Sequence, residues 1–292
     1  MELPEPSQPL LLGIALLLGL LVGSFLNVVI HRLPQGLSVV RPRSHCPACE
    51  TAIAARDNVP VLSWIWLRGR CRHFRAPISW RYPAVELVTG LLFLGVVARH
   101  GLAPTTPLWL AFVALLLAAA LIDAEYQIIP DELSLGGAAL GLAGVPLVHA
   151  LAGEPWGQAL DTAWLGALLG GGLLWTAGFV HARLSVVAVR RFEHWPGPGE
   201  DLPRPASLDY WIWFPGLGFG DVKLFLAIGA FVGPLGVLHV LWLSAMVGLV
   251  LGLAWLALRR QAGMPFGFAP AIAAGALLVV LFPSLGELGI RL

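Results

Sequence analysis

Four carboxylates stand where long apolar runs begin or end: Glu86, Asp123, Asp131 and Asp221. A charge at membrane depth is costly, and one retained there points to function. Asp123 closes the run Leu115–Ile122, which puts an acid at a helix C-terminus, where the macrodipole disfavours it. Asp221 opens the run after Gly218-Phe219-Gly220, a place that also suits a helix N-cap. Asp131, after Ile129-Pro130, reads most simply as an N-cap, and Glu86 as a partner of Arg81. Lys223, the chain's one lysine, lies two residues beyond Asp221. Two aspartates brought together form a pair that resists double ionisation, so one member keeps a proton near neutral pH. The ionised member can take a proton from water while the other polarises a carbonyl, which is peptide hydrolysis without a metal. Gly218 and Gly220 would let the backbone approach an extended peptide closely.

Cys46, Cys49 and Cys71 form a second group. Three thiols cannot all pair within one chain, and two of them sit as C-x-x-C, so the pattern predicts a metal or reduced-thiol site rather than a disulfide framework. Nine of the 18 basic residues fall between Arg32 and Arg81, against two acids, Glu50 and Asp57.

The elements that must hold these groups follow from composition. Apolar residues make up 58% of the 292, above the roughly 45–50% of a soluble domain. Charged residues make up 12%, and the mean hydropathy is +0.80. A disordered chain, a coiled coil, a nucleic-acid-coating protein and a simple cytosolic enzyme are excluded. The reading is an all-α polytopic membrane protein. Its apolar runs at about 9–30, 83–98, 108–123, 133–152, 162–180, 222–237, 238–258 and 266–284 predict eight transmembrane helices. Glu2 and Glu5 replace the basic start of a signal peptide, so the first run is read as retained. Arginine placement puts the loop after helix 1 on the cytoplasmic side and the N-terminus outside. Arg183, Arg190, Arg191, Arg204, Arg259 and Arg260 follow the same rule; Arg99 is the exception, and Arg291 would mark an outside C-terminus. Three regions result: a first helix over 1–30, a loop-rich segment over 31–82 that needs a metal or bundle contacts to hold shape, and a helical bundle over 83–292. A Pro/Gly stretch at Pro196-Gly197-Pro198-Gly199 predicts a mobile loop, and no internal repeat is evident. Gly19 and Gly23 in helix 1, and Gly166 and Gly170 in helix 5, predict close helix packing, with Asn27 as a cross-helix hydrogen-bonding group.

Taken in order, the motifs resemble the bacterial prepilin peptidases, polytopic aspartic proteases with a Gly-x-Gly-Asp motif. The resemblance runs through Gly23-Ser24-Phe25-Leu26-Asn27, Cys46-Pro47-Ala48-Cys49, Asp57-Asn58-Val59-Pro60, Leu67-Arg68-Gly69-Arg70-Cys71 and Trp80-Arg81-Tyr82-Pro83 to Glu86. It continues through Asp123 to Pro130-Asp131, Gly218-Phe219-Gly220-Asp221-Val222-Lys223 and Pro265-Phe266-Gly267. It implies Asp123 and Asp221 as the catalytic pair, with Gly218, Gly220, Lys223, Asp131 and Glu86 in support. The implied substrates are type IV prepilins or type II secretion pseudopilins, whose basic leader is removed at the cytoplasmic face of the inner membrane. It also implies N-methylation of the new terminus with S-adenosylmethionine, linked with the segment 31–82. The expected partners are the prepilin substrate and membrane lipid, with no nucleic acid.

The sequence departs from the family pattern twice. Where a second C-x-x-C is found in zinc-binding members, this chain reads Cys71-Arg72-His73-Phe74. Tetrahedral zinc wants four N or S ligands. Cys46, Cys49 and Cys71 therefore need His73 or His45 as a fourth donor, or the loop holds reduced thiols without zinc. An acid often found shortly before Gly-x-Gly-Asp is also missing, with Pro215 and Gly216 in its place. Two readings from other classes are a proton-coupled transporter and a non-catalytic scaffold of a secretion machine. A transporter would tend to show repeated halves with acids near the midplane. A zinc protease is disfavoured, since no H-E-x-x-H occurs.

Overall fold

The computed structural model describes residues 7–46, 49–188, 203–259 and 267–282. The Pro196–Gly199 stretch, Arg190, Arg191, Arg260, Arg291, Glu2, Glu5 and the Pro47-Ala48 and Pro265-Phe266 pairs lie outside the described residues. Among those described, seven helices of more than ten residues carry the chain: α1 Gln8–Arg32, α2 Arg81–His100, α3 Thr106–Tyr126, α4 Asp131–Leu151, α5 Trp156–Val187, α6 Phe219–Arg259 and α7 Ala269–Leu281. No strand forms among the described residues, so the all-helical expectation holds.

Six of these helices are long and apolar enough to cross a membrane. The expected eight separate spans are not reproduced, for two reasons. The sixth and seventh runs join into α6, which breaks at Gly233 (φ 70, ψ 178) before Pro234 instead of near residue 237. Only glycine takes that backbone conformation cheaply, and proline cannot continue the hydrogen-bond ladder across it. The last helix, α7, has 13 residues, short of the roughly 20 a bilayer needs.

The chain divides into two compact units, one ending at Tyr126 and the other beginning at Gln127. In the first, α1 packs on α2 through glycines. A Cβ at Gly19 would stand 2.7 Å from the Gly90 Cα, and one at Gly23 would stand 2.7 Å from the Glu86 Cα. Asn27 Nδ2 donates across the helices to the Tyr82 carbonyl at 3.1 Å, as its position predicts. Arg81 pairs with Glu125 at 2.6 Å, fastening the start of α2 to the end of α3. The loop side of this unit therefore gathers the end of α1, the start of α2, the end of α3 and the segment 33–80.

In the second unit, α5 meets α6 at the small residues singled out by spacing. A Cβ at Gly166 would fall 2.1 Å from the Gly229 carbonyl oxygen, and one at Gly170 would fall 2.4 Å from that of Phe225. Such backbone approach is how helices gain packing in lipid, where no hydrophobic force draws them together. A Cβ at Gly172 would meet nothing within 4 Å, so this residue faces away from the contact. Gly166→Ala is expected to cost about 1–3 kcal/mol by overpacking, read as a lowered Tm in detergent. Gly172→Ala should leave Tm unchanged, and equal effects at the two positions would refute the packing account.

Candidate active site and cysteine loop

Asp123 lies in the last turn of α3, and its residue is only 6% exposed. The helix ends three residues later, because Gln127 takes a left-handed φ of 55° and Pro130 follows. Asp221, 8% exposed, lies in the first turn of α6. It is the third residue of that helix, so the N-cap expectation fails: the helix starts two residues earlier, at Phe219. An acid in a first turn still favours the positive end of the dipole. A Cβ at Gly218 would stand 3.4 Å from Asp221 Oδ2, and one at Gly220 would press to 3.2 Å on the Ile129 Cβ. The two glycines thus differ. Position 220 lets the helix meet Ile129, whereas a Cβ at position 218 would make only ordinary contact with the carboxylate.

The segment before Asp221 is anchored on α5. Trp175 Nε1 donates to the Trp211 carbonyl at 2.8 Å, and Phe179 stacks on Trp211 with centroids 5.4 Å apart. Arg183 lies 3.6 Å over the Tyr210 ring and donates to the Tyr210 carbonyl. Gly216, at φ 77, then turns the chain into α6.

Asp131 and Glu86 depart from their expected roles. Asp131 is the first residue of α4 and provides no cap; its carboxylate accepts from Lys223 Nζ. Lys223 is two positions from Asp221, and residues so spaced do not face one another on a helix. Its charge therefore serves Asp131. Glu86 does not pair with Arg81, which binds Glu125 instead. Residues five apart fall on different faces of a helix. The Glu86 carboxylate accepts from the Val61 N–H at 2.7 Å, and Ser24 hydrogen-bonds to it as well.

Segment 33–80 is held by such bonds to the helices. Arg32, at the end of α1, donates to the carbonyls of Ser38 at 3.1 Å and Pro42 at 2.8 Å. Within the segment, a repeat that the sequence does not reveal appears. The backbone bonds Glu50 N to Cys46 O, Cys46 N to Thr51 O and Ile53 N to Ser44 O recur 25 residues on. Their counterparts are Arg75 N to Cys71 O, Cys71 N to Ala76 O and Ile78 N to Gly69 O. Glu50 and Arg75 share a left-handed φ, of 55° and 57°. The two turns are one motif used twice, and Phe74, 65% exposed, occupies the place that Cys49 holds in the first. The signal was present in the paired Cys46/Cys71 and Ile53/Ile78, but with few side chains shared the sequences alone do not align.

The Sγ atoms of Cys46, Cys49 and Cys71 lie within 4.8 Å of one another, with Cys49 and Cys71 3.9 Å apart. Among the described residues no histidine joins the group, so neither His73 nor His45 stands as a fourth donor. Hydrogen bonds from the Thr51 side chain and backbone bring the Cys49 thiol down to about 7, which favours the ligating thiolate. Arg72 holds Asp57 beside the second turn through a 2.6 Å ion pair, which lowers the Asp57 pKa.

Residues 17–100 match the model of the bacterial peptidase A24 N-terminal domain, and residues 110–253 match that of the type IV leader peptidase family. A prepilin leader peptidase/N-methyltransferase of Myxococcus xanthus is 37% identical over 90% of this chain and 68% of its own length. One from Aeromonas hydrophila is 33% identical over 97% and 94%. A type 4 prepilin-like proteins leader peptide-processing enzyme of Escherichia coli O78:H11 is 33% identical over 91% and 92%. No solved structure matches the chain. The two family matches together take in Glu86, the three cysteines and both buried aspartates, and on this agreement of sequence and site the chain belongs to the type IV leader peptidase family.

Proposed function

We propose that the chain is a membrane aspartic endopeptidase, with Asp123 and Asp221 as its catalytic pair. It removes the basic leader of type IV prepilins or type II secretion pseudopilins at the cytoplasmic face of the inner membrane, and then N-methylates the new terminus with S-adenosylmethionine. The observation that carries the reading is that two aspartates, each more than nine-tenths buried at a helix end, both fall within the stretch matched by the peptidase family. The ion pairs beside them support it. Lys223, two residues from Asp221, is committed to Asp131, and Glu125, two residues from Asp123, is committed to Arg81.

In the proposed reaction one carboxylate is ionised and the other protonated. The ionised member takes a proton from a water as that water attacks the scissile carbonyl, and the protonated member hydrogen-bonds to the carbonyl oxygen. Collapse of the tetrahedral adduct breaks the C–N bond as a proton passes to the leaving amine, which restores the shared proton. The orientation is the one arginine placement favours, with segment 31–82 on the cytoplasmic side.

The cysteine loop fits three corners of a tetrahedral zinc site. Zn–S bonds of about 2.3 Å place thiolates about 3.8 Å apart, close to the 3.9 Å between Cys49 and Cys71. Zinc there would tie the two turns together, with position 74 at the fourth corner.

Two measurements test these readings. Asp123→Asn and Asp221→Asn should each lower cleavage of a prepilin peptide by roughly 10²–10⁴-fold while membrane insertion is unchanged. Full cleavage by either variant removes the carboxylate-pair mechanism. For the loop, Phe74→Cys should hold zinc through dialysis against a chelator that strips the native chain, by metal analysis of the purified protein. Phe74→Ala should behave as the native chain does. If Phe74→Cys retains no more metal than Phe74→Ala, position 74 is not a ligand corner.

A further inference from the structure

A cavity of about 650 Å³ opens between the end of α1, the start of α2 and the segment 33–80. That is within the usual range for a small-molecule site. Its wall contains two charged side chains that are each 91% buried, Arg32 and Glu86. Burying an ion is costly unless an opposite charge compensates it. Neither has such a partner among the described residues: Arg32 is bonded to two backbone carbonyls, and Glu86 to the Val61 N–H and Ser24. Nor do the two pair with one another. Glu86 is level with Gly23 on α1, and Arg32 is nine residues further along, a rise of about 13 Å.

Among the deeply buried side chains of this wall, one acid and one base thus lack an opposite charge, and a ligand that carries both signs would supply it. A second observation lies at the same place. Val61, whose N–H binds Glu86, has a φ of 61°. A β-branched residue there is a genuine outlier, and such strain concentrates at ligand clamps.

The geometry points to this cavity as the site of the methyl donor, with Arg32 binding the carboxylate of a sulfonium nucleoside and Glu86 facing its sulfonium cation. The inference rests on the N-methylation reading and adds the residues that would carry it. Trp64 and Tyr82, also in the wall, offer flat apolar faces to a nucleobase.

The test uses the full chain in detergent and reads binding rather than turnover. Calorimetric titration compares S-adenosylmethionine, sinefungin and S-adenosylhomocysteine, the last of which lacks the positive charge at the sulfur position. The native chain should bind the first two about 10-fold more tightly than the third, as expected for one charge-assisted contact. Glu86→Gln should erase that ratio, and Arg32→Gln should weaken all three alike by about 10-fold. The ratio is read on the native chain, so it stands even if a variant fails to fold. Tight binding of all three with no preference, unchanged by either substitution, would overturn the site while leaving methylation intact. If the native chain binds none of them and leaves a cleaved prepilin unmethylated, the methylation reading itself falls.

Discussion

Ionised groups can be kept out of water only where something else compensates them, and this constraint organises the molecule. Apolar helices have no use for acids, yet Glu86, Asp123 and Asp221 are all buried within about two turns of a helix end. At such a place unpaired backbone groups, capping turns and adjoining loops supply polar partners that the middle of a span lacks. The exposed acids nearby follow a different rule. Asp131 and Glu125 take cations directly, at positions where water still shares the cost. The acids of the loop ends thus fall into two sets, Asp131 and Glu125 paired with cations and Glu86, Asp123 and Asp221 buried.

How much of this was legible in the sequence varies by scale. The helices, the glycine contacts of Gly19, Gly23, Gly166 and Gly170, and the Asn27 bond to Tyr82 follow from spacing, because helical period and close approach are local properties. The partners of Glu86 and Asp131 were not legible. Glu86 bonds to a backbone N–H 25 residues before it, and Asp131 to a lysine 92 residues after it, and no local rule ranks such distant choices. The break in α6 was misplaced because hydropathy is continuous across it; the backbone of Gly233 decides it, and a hydropathy window does not register that. Arg32 reads in the sequence only as one of nine clustered basic residues, since its significance appears only with the cavity.

The repeated turn at 44–53 and 69–78 is set by backbone bonds rather than by its side chains. Backbone hydrogen bonds hold both copies, so the turn does not need a thiol at position 74 to form. A closed four-ligand zinc site supplies folding energy outright, whereas here the same loop is also secured by Asp57–Arg72, by Trp64 Nε1 donating to the Ile78 carbonyl, and by Glu86. With this much support outside the cysteines, the loop does not need a fourth thiol to hold its shape.

That redundancy bears on how the first unit combines its parts. The hydrogen bonds that brace the loop converge on the same wall that surrounds the cavity: Arg32 from α1, Glu86 from α2 and Val61 from the segment between them. A loop held in this way is pre-shaped, and a ligand entering it spends little of its binding energy on ordering the chain. The strained Val61 fits this account, because a positive φ at a β-branched residue survives only where the surroundings over-determine it. Glu86 therefore braces the loop, and in the proposed site it would also supply a charge. A neutral isostere such as glutamine keeps much of the bracing geometry while removing the charge, and so the two contributions are separable by experiment.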